Sequence, residues 1–178
     1  MAIESFYWVI DGALAGSSRP GGVGVSGGRR RWNAPAPGGD QTAQANQRLD
    51  DDLAWLRMQG IGALLSLTET PLPAEALTRH ELASLHLPVD DMTAPTPEQF
   101  DQALAFIDMQ RGRGRSVAVH CKMGQGRTGT VLAAYLIRGG ATAESALRTL
   151  RALCPGAISA PEQERALHAY AIRRDWIV

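Results

Sequence analysis

His120-Cys121-Lys122-Met123-Gly124-Gln125-Gly126-Arg127-Thr128 is the stretch whose residue types and spacing could do chemistry. A thiol is a useful nucleophile at neutral pH only as thiolate, and inward-pointing N–H groups, a helix N-terminus and a guanidinium all stabilise that anion. Five residues separate Cys121 from Arg127. Among them Gly124 and Gly126 let the backbone curl without Cβ clashes, so successive N–H groups can converge into a concave anion site. Arg127 brings a planar fork of donors that matches two oxygens of a phosphoryl group and grips harder as charge spreads during transfer. Lysine could not supply that geometry. The plain alternative is a strand-to-helix turn around a packed cysteine.

The flanks fit a strand–loop–helix. Ser116 to His120 is a short β-branched run, and Thr128 to Arg138 carries Val131, Leu132, Tyr135 and Leu136 at helical spacing ahead of Gly139-Gly140. Adjacent strand residues face opposite ways, so His120 is poorly placed as a base for Cys121 and is expected to order the loop. Thr128 has two readings, a hydroxyl donor to the sulfur and a helix cap, and both stay open.

With Cys121, five residues, Arg127 and Thr128 in this context, the chain resembles the cysteine-dependent phosphatases of the protein tyrosine phosphatase superfamily. The loop is most similar to those of dual-specificity phosphatases of the mitotic-exit kind and of small atypical ones. It also resembles the phosphatase-and-tensin lipid phosphatases, which share Lys after Cys but carry a second lysine where this chain has Gln125. The resemblance implies a phosphocysteine at Cys121 and a phosphate-binding loop of Lys122, Met123, Gly124, Gln125 and Gly126. It also implies one carboxyl group that protonates the leaving group and then activates water.

In those families the acid lies on a loop about thirty residues before the cysteine, where this chain has Asp90 and Asp91. Val89-Asp90-Asp91-Met92 ahead of Pro95-Thr96-Pro97-Glu98-Gln99 favours Asp91, with Asp90 as its rival. Asp101 falls inside the following helix. Pro155 to Ile158 with Glu162-Gln163 resembles a stretch that closes one side of the pocket, so Gln163 is expected near water or substrate. No cofactor and no metal are implied. The expected substrate is protein phosphotyrosine and also phosphoserine or phosphothreonine, with phosphoinositides or other polyphosphorylated small molecules as the alternative. A phosphate-binding interaction module without turnover is the rival of another class, although such a module would be expected to lack the cysteine, arginine or acid. A rhodanese-like sulfur carrier fits the Arg127-Thr128 pair less well.

The elements that must position these residues can be read in order. Phe6 to Ile10 is a strand, Asp11-Gly12 a turn, and Leu14-Ala15 follows. A Gly/Pro/Arg-rich insertion at about 17–47, with Arg29, Arg30, Arg31 and Trp32, cannot bury a core. It is either a solvated segment or an arm bringing positive charge to the pocket. Ala43 to Gln59 places Leu49, Leu53 and Leu56 on one helical face with Asp50 to Asp52 outward. Ile61 to Leu67 suits a central strand, Pro73 to His80 a short helix, and Ala83 to Val89 another strand. His86 is expected to be packed or half-exposed. Helices from Thr96, from Thr142 to Leu153, and from Pro161 to about Arg174 complete the chain. This interleaving predicts an α/β fold, and the resemblance a phosphatase-type three-layer one. Its central, mostly parallel sheet of four or five strands would be flanked by helices.

At 178 residues one domain is expected. Lys plus Arg equals Asp plus Glu, 18 each, so no global field favours nucleic acid or an anionic membrane. No apolar run approaches the roughly 20 residues of a membrane span. Two cysteines, Cys121 and Cys154, make no disulfide framework, and a free thiolate suits a reducing, cytoplasmic setting. A monomer is expected. Lys122 is the only lysine, and its place in the loop suggests that an ammonium is wanted there.

Overall fold

The computed structural model describes residues 3–22 and 39–175. Among these described residues eleven elements follow one another: β1 (Phe6–Ile10), β2 (Leu14–Ser17), α1 (Gly39–Met58), β3 (Ile61–Ser66), α2 (Ala74–Arg79) and β4 (Ala83–His86) come first. α3 (Pro97–Gly112), β5 (Ser116–His120), α4 (Gly126–Arg138), α5 (Ala143–Leu153) and α6 (Pro161–Asp175) follow. The strands form one five-stranded sheet in the order β1-β2-β5-β3-β4. β1 and β2 are antiparallel, while β2, β5, β3 and β4 run parallel.

Helices cover both faces, as a mostly parallel sheet requires. Against one face α1 and α2 bury Leu49, Leu53, Leu56, Ala76 and Leu77 on Ala15, Ile61, Leu64 and Ala118. Against the other, α3 to α6 pack Phe100, Leu104, Ile107, Leu132, Ile137, Leu147 and Leu167 on Leu14, Leu65, Val117 and Val119. Alternation along β5 explains the split, with Val117 and Val119 facing one layer and Ala118 the other.

β5 lies in the middle, and its last residue, His120, is level with Ser17 of β2 and Ser66 of β3. Three parallel strands thus end together, and the loops leaving them converge where such sheets bind ligands. The stretch after β5 is the Cys121 loop.

Several expected boundaries move. α4 starts at Gly126, two residues before Thr128, because Gly129 N–H already donates to the Gln125 carbonyl at 3.0 Å. Thr128 is therefore inside the first turn and is not the cap. β4 stops at His86, short of Val89, since Leu87 and Val89 turn to bond the carbonyls of Ser66 and Leu67. α1 begins at Gly39, ahead of Ala43. Asp52, expected outward with Asp50 and Asp51, is fully buried and accepts the Gly21 N–H at 2.8 Å. That bond ties the exit of β2 to α1, a tertiary need that an amphipathic pattern does not reveal. Of the insertion at about 17–47, Ser17 belongs to β2 and residues 39–47 to α1. Residues 23–38, with the Arg29-Arg30-Arg31-Trp32 run, lie outside the described residues.

Candidate active site

The Cys121 loop closes over the N-terminus of α4 around a cavity of about 140 Å³ lined by Cys121, Lys122, Met123, Gln125, Gly126, Arg127, Asp91, Met92, Ser159 and Gln163. The N–H groups of Gly126, Arg127 and Thr128 precede the first helical bond and have no intrahelical acceptor. A helix start of this kind favours an anion.

Loop carbonyls are drawn outward by neighbours. Arg19 N–H takes that of Lys122 at 3.2 Å, and the Tyr7 hydroxyl takes that of Gly124 at 2.8 Å. Gly124 has φ +76, and a Cβ there would sit 2.6 Å from the Ser17 carbonyl carbon. Only glycine fits so close to β2 in the left-handed region. Arg19 adds side-chain bonds to Thr68 and to the carbonyls of Thr70 and Pro71, so the loops after β2, β3 and β5 are laced together.

Arg127 is 2% exposed. Nη1 donates to the Val89 carbonyl at 2.7 Å and to Glu69 Oε1 at 3.0 Å, and Nη2 lies 3.0 Å from Asp91 Oδ1. A buried guanidinium needs such partners, since an uncompensated charge there would be strongly destabilising. The Glu69 carboxyl is held below its ordinary range by a hydrogen bond from its own backbone and then by Arg127.

Asp91 lines the cavity, and Asp90 does not. Asp91 Oδ1 also accepts the Met92 N–H at 3.1 Å, and Met92 has φ 64. A methionine in the left-handed region marks a sharply turned loop. Asp101, as expected, sits in α3, where it pairs with Arg173 on the surface.

His120 is fully buried behind the cysteine, its Nδ1 3.4 Å from the Cys121 carbonyl. Burial pushes its pKa down to about 3, with Arg19, His86 and Arg127 adding to the effect, so it is a neutral ring at neutral pH. The expected Thr128-to-sulfur bond is not made: Thr128 Oγ1 is buried and has no hydrogen-bond partner. Gln163 is buried, donates from Nε2 to the Thr93 carbonyl at 3.0 Å, and keeps Oε1 unpartnered. A buried orphan acceptor is costly, about 1–3 kcal/mol, which makes it a natural partner for a bound hydroxyl or water. His86 is partly buried, its Nε2 2.7 Å from the Thr68 carbonyl.

Sequence reasoning missed Glu69, Tyr7, Arg19 and Ser159. Glu69 had one signal, a carboxylate just past the end of a central strand. Tyr7 had none, because its partner is 117 residues away.

Comparison with known proteins bears on the fold and the family. At 28% identity over 96% of this chain and 98% of the other, the solved structure "Tk-PTP in the active form" superposes with TM-score 0.73. "PTPMT1" superposes with TM-score 0.74 at 18% identity, over 97% of this chain and 98% of the other, a likeness of fold. Phosphatidylglycerophosphate phosphatase PTPMT2 of Arabidopsis thaliana is 29% identical over 67% of this chain and 55% of its own length. Tyrosine-protein phosphatase CDC14 of Candida albicans is 33% identical over 51% of this chain and 17% of its own length. The chain thus spans about half of the first relative and a small part of the second. The family model Tc-R-P, described as "Polymorphic toxin system, DSP-PTPase phosphatase", matches residues 38–141, from the start of α1 to just past α4. The chain belongs to this dual-specificity-type protein tyrosine phosphatase family.

Proposed function

We propose that the protein hydrolyses phosphomonoesters through a phosphocysteine, with protein phosphotyrosine, and phosphoserine or phosphothreonine after it, as substrate. The convergence of Cys121, Arg127 and Asp91 on one cavity at the N-terminus of α4 carries the reading.

The substrate phosphoryl group enters the loop, replaces the Asp91 carboxylate on Arg127 Nη2 and accepts hydrogen bonds from the loop N–H groups. Asp91, released from the guanidinium, enters this step protonated; the Cys121 thiolate attacks phosphorus, and the P–O bond to the leaving group breaks as Asp91 gives its proton to that oxygen. Arg127 and the loop amides take up the charge on the equatorial oxygens. In the second half, water attacks phosphorus, Asp91 accepts its proton, and the S–P bond breaks to release inorganic phosphate and the thiolate. Gln163 Oε1, a buried acceptor without a partner on a residue lining the cavity, accepts from that water, and Thr128 Oγ1 turns to donate to the departing sulfur. The chemistry uses no metal or cofactor.

A polyphosphorylated or lipid substrate is the second reading, favoured by the name of the Arabidopsis relative. Against it, Arg127 and Lys122 are the only cations among the described residues lining the cavity, and Arg127 is already shared with Glu69. Among the described residues lining the cavity, a further phosphate would have Lys122 alone. No helix among the described residues is long and apolar enough to cross a membrane. A cytoplasmic monomer that does not bind nucleic acid completes the proposal.

Acid-quenched wild type, digested after mixing with phosphotyrosine peptide, should carry a phosphate on the Cys121 peptide. Cys121→Ser should lose turnover while keeping the fold, and chelator should leave wild-type turnover unchanged. Full turnover by Cys121→Ser overturns the mechanism. Absent turnover with retained phosphate binding in wild type would make the protein a binding module. Higher kcat/KM on phosphatidylglycerophosphate than on phosphotyrosine peptide would favour the lipid reading.

A further inference from the structure

We infer that Tyr7 of β1 is a positioning residue for the anion cradle, aiming the Gln125 N–H into the pocket by holding the Gly124 carbonyl on the far side. This rests on the reading of Cys121 as the nucleophile in a phosphate-binding loop.

Tyr7 is buried, and its hydroxyl donates to the Gly124 carbonyl at 2.8 Å. Lys122, Met123, Gln125 and Gly126 line the cavity, whereas Gly124 does not. The peptide unit from the Gly124 carbonyl to the Gln125 N–H is planar and trans, so its two polar groups point in opposite directions. A carbonyl drawn toward β1 therefore turns the Gln125 N–H toward the phosphate side. The Lys122 and Gln125 carbonyls are held by backbone donors, of Arg19 and Gly129, which any side chain would leave in place. Gly124 alone among these three depends on a side chain.

The path to it runs over the face of β2. A Cβ on Gly16 would fall 2.4 Å from Tyr7 Cζ, so glycine at that position in β2 lets the ring cross to the loop. Gly124 rests on the backbone of Ser17 and Ser18 with no room for a side chain. Burial, with Cys154 and Cys121 nearby, drives Tyr7 ionisation far above its ordinary value, so the hydroxyl stays a proton donor wherever the protein is folded.

An amide aimed at an equatorial oxygen is worth more in the transition state than in the ground state. The test is Tyr7→Phe, assayed on p-nitrophenyl phosphate with inhibition by orthovanadate and by inorganic phosphate. Loss of the bond should lower kcat and weaken vanadate by about tenfold or more, while KM and phosphate inhibition stay within about threefold. Values of kcat and vanadate inhibition within about twofold of wild type overturn the inference, as do equal losses in all four constants with a lowered melting temperature. A second measurement serves if Tyr7→Phe does not fold. In wild type, inorganic phosphate should shift the Gln125 amide resonance as strongly as those of Gly126 and Arg127; an unmoved Gln125 amide overturns the inference. This binding measurement needs no turnover, so its failure is separable from failure of the nucleophile reading, which Cys121→Ser decides.

Discussion

Arg127 shows why residue type outweighs charge at this site. One guanidinium reaches Glu69, the Val89 carbonyl and Asp91 from two nitrogens while nearly sealed from water. An ammonium at the same position has one nitrogen and no fork, so Arg127→Lys should lose kcat/KM almost as severely as Arg127→Ala, by about a hundredfold or more. Steady-state rates of the two variants side by side check this, and a Lys variant near wild type would refute it. Asp91 is paired with the same guanidinium, and the proposed acid role separates it from that structural contact through the leaving group. Asp91→Asn should slow alkyl and poor-leaving-group aryl phosphates far more than p-nitrophenyl phosphate, whose oxygen departs without a proton. A plot of log kcat against leaving-group pKa should steepen in Asp91→Asn and not in Asp90→Asn; the reverse would move the assignment by one residue.

The acid loop is an element held at both ends, and part of that arrangement could be read from sequence. Thr96 caps α3 by accepting the Gln99 N–H, Gln99 Oε1 in return accepts the Thr96 N–H, and Pro97 fills the first turn. Thr96-Pro97-Glu98-Gln99 announced this cap because its donors and acceptors lie three residues apart. What the pattern could not show is that Gln99 Nε2 also donates to the Pro88 carbonyl at 2.7 Å, closing the segment that carries Asp91. Gln163 grips the same segment at Thr93 from α6. Gln99→Ala should therefore cost about 1 kcal/mol of stability in urea. It should also slow poor-leaving-group substrates several-fold more than p-nitrophenyl phosphate, as a weaker form of Asp91→Asn. Equal slowing of both substrates would limit Gln99 to stability. Local signals of this kind made β1, β3, α2, α3, β5 and α5 legible to within a residue or so, and they marked the Cys121 loop. Asp52 turning inward and the Tyr7–Gly124 bond were not legible, because their partners are distant in sequence and leave no periodic trace.

At the scale of the whole molecule, the site sits where three parallel strands end against a buried, uncharged histidine, and this couples function to global stability. His120 is fully buried at the last pair of β5, level with Ser17 and Ser66. Burial strips water from the ring and penalises its charged form, and Arg19, His86 and Arg127 add repulsion, so its pKa falls to about 3 from an ordinary 6.5. The unfolded chain binds a proton at His120 below about pH 6.5, and the folded chain does so only near pH 3. Between these values the unfolded state holds more protons, so stability rises with pH and is lost as pH falls. From pH 7 to pH 5 the loss assigned to this one residue is about 2 kcal/mol. Urea unfolding of wild type and His120→Asn at both pH values isolates it, because other titrating groups act on both proteins and cancel in the double difference. Wild type should lose about 2 kcal/mol more than the variant over that interval. An equal loss in the two proteins would mean that His120 titrates alike in the folded and unfolded states, and that the acid sensitivity of the fold originates elsewhere.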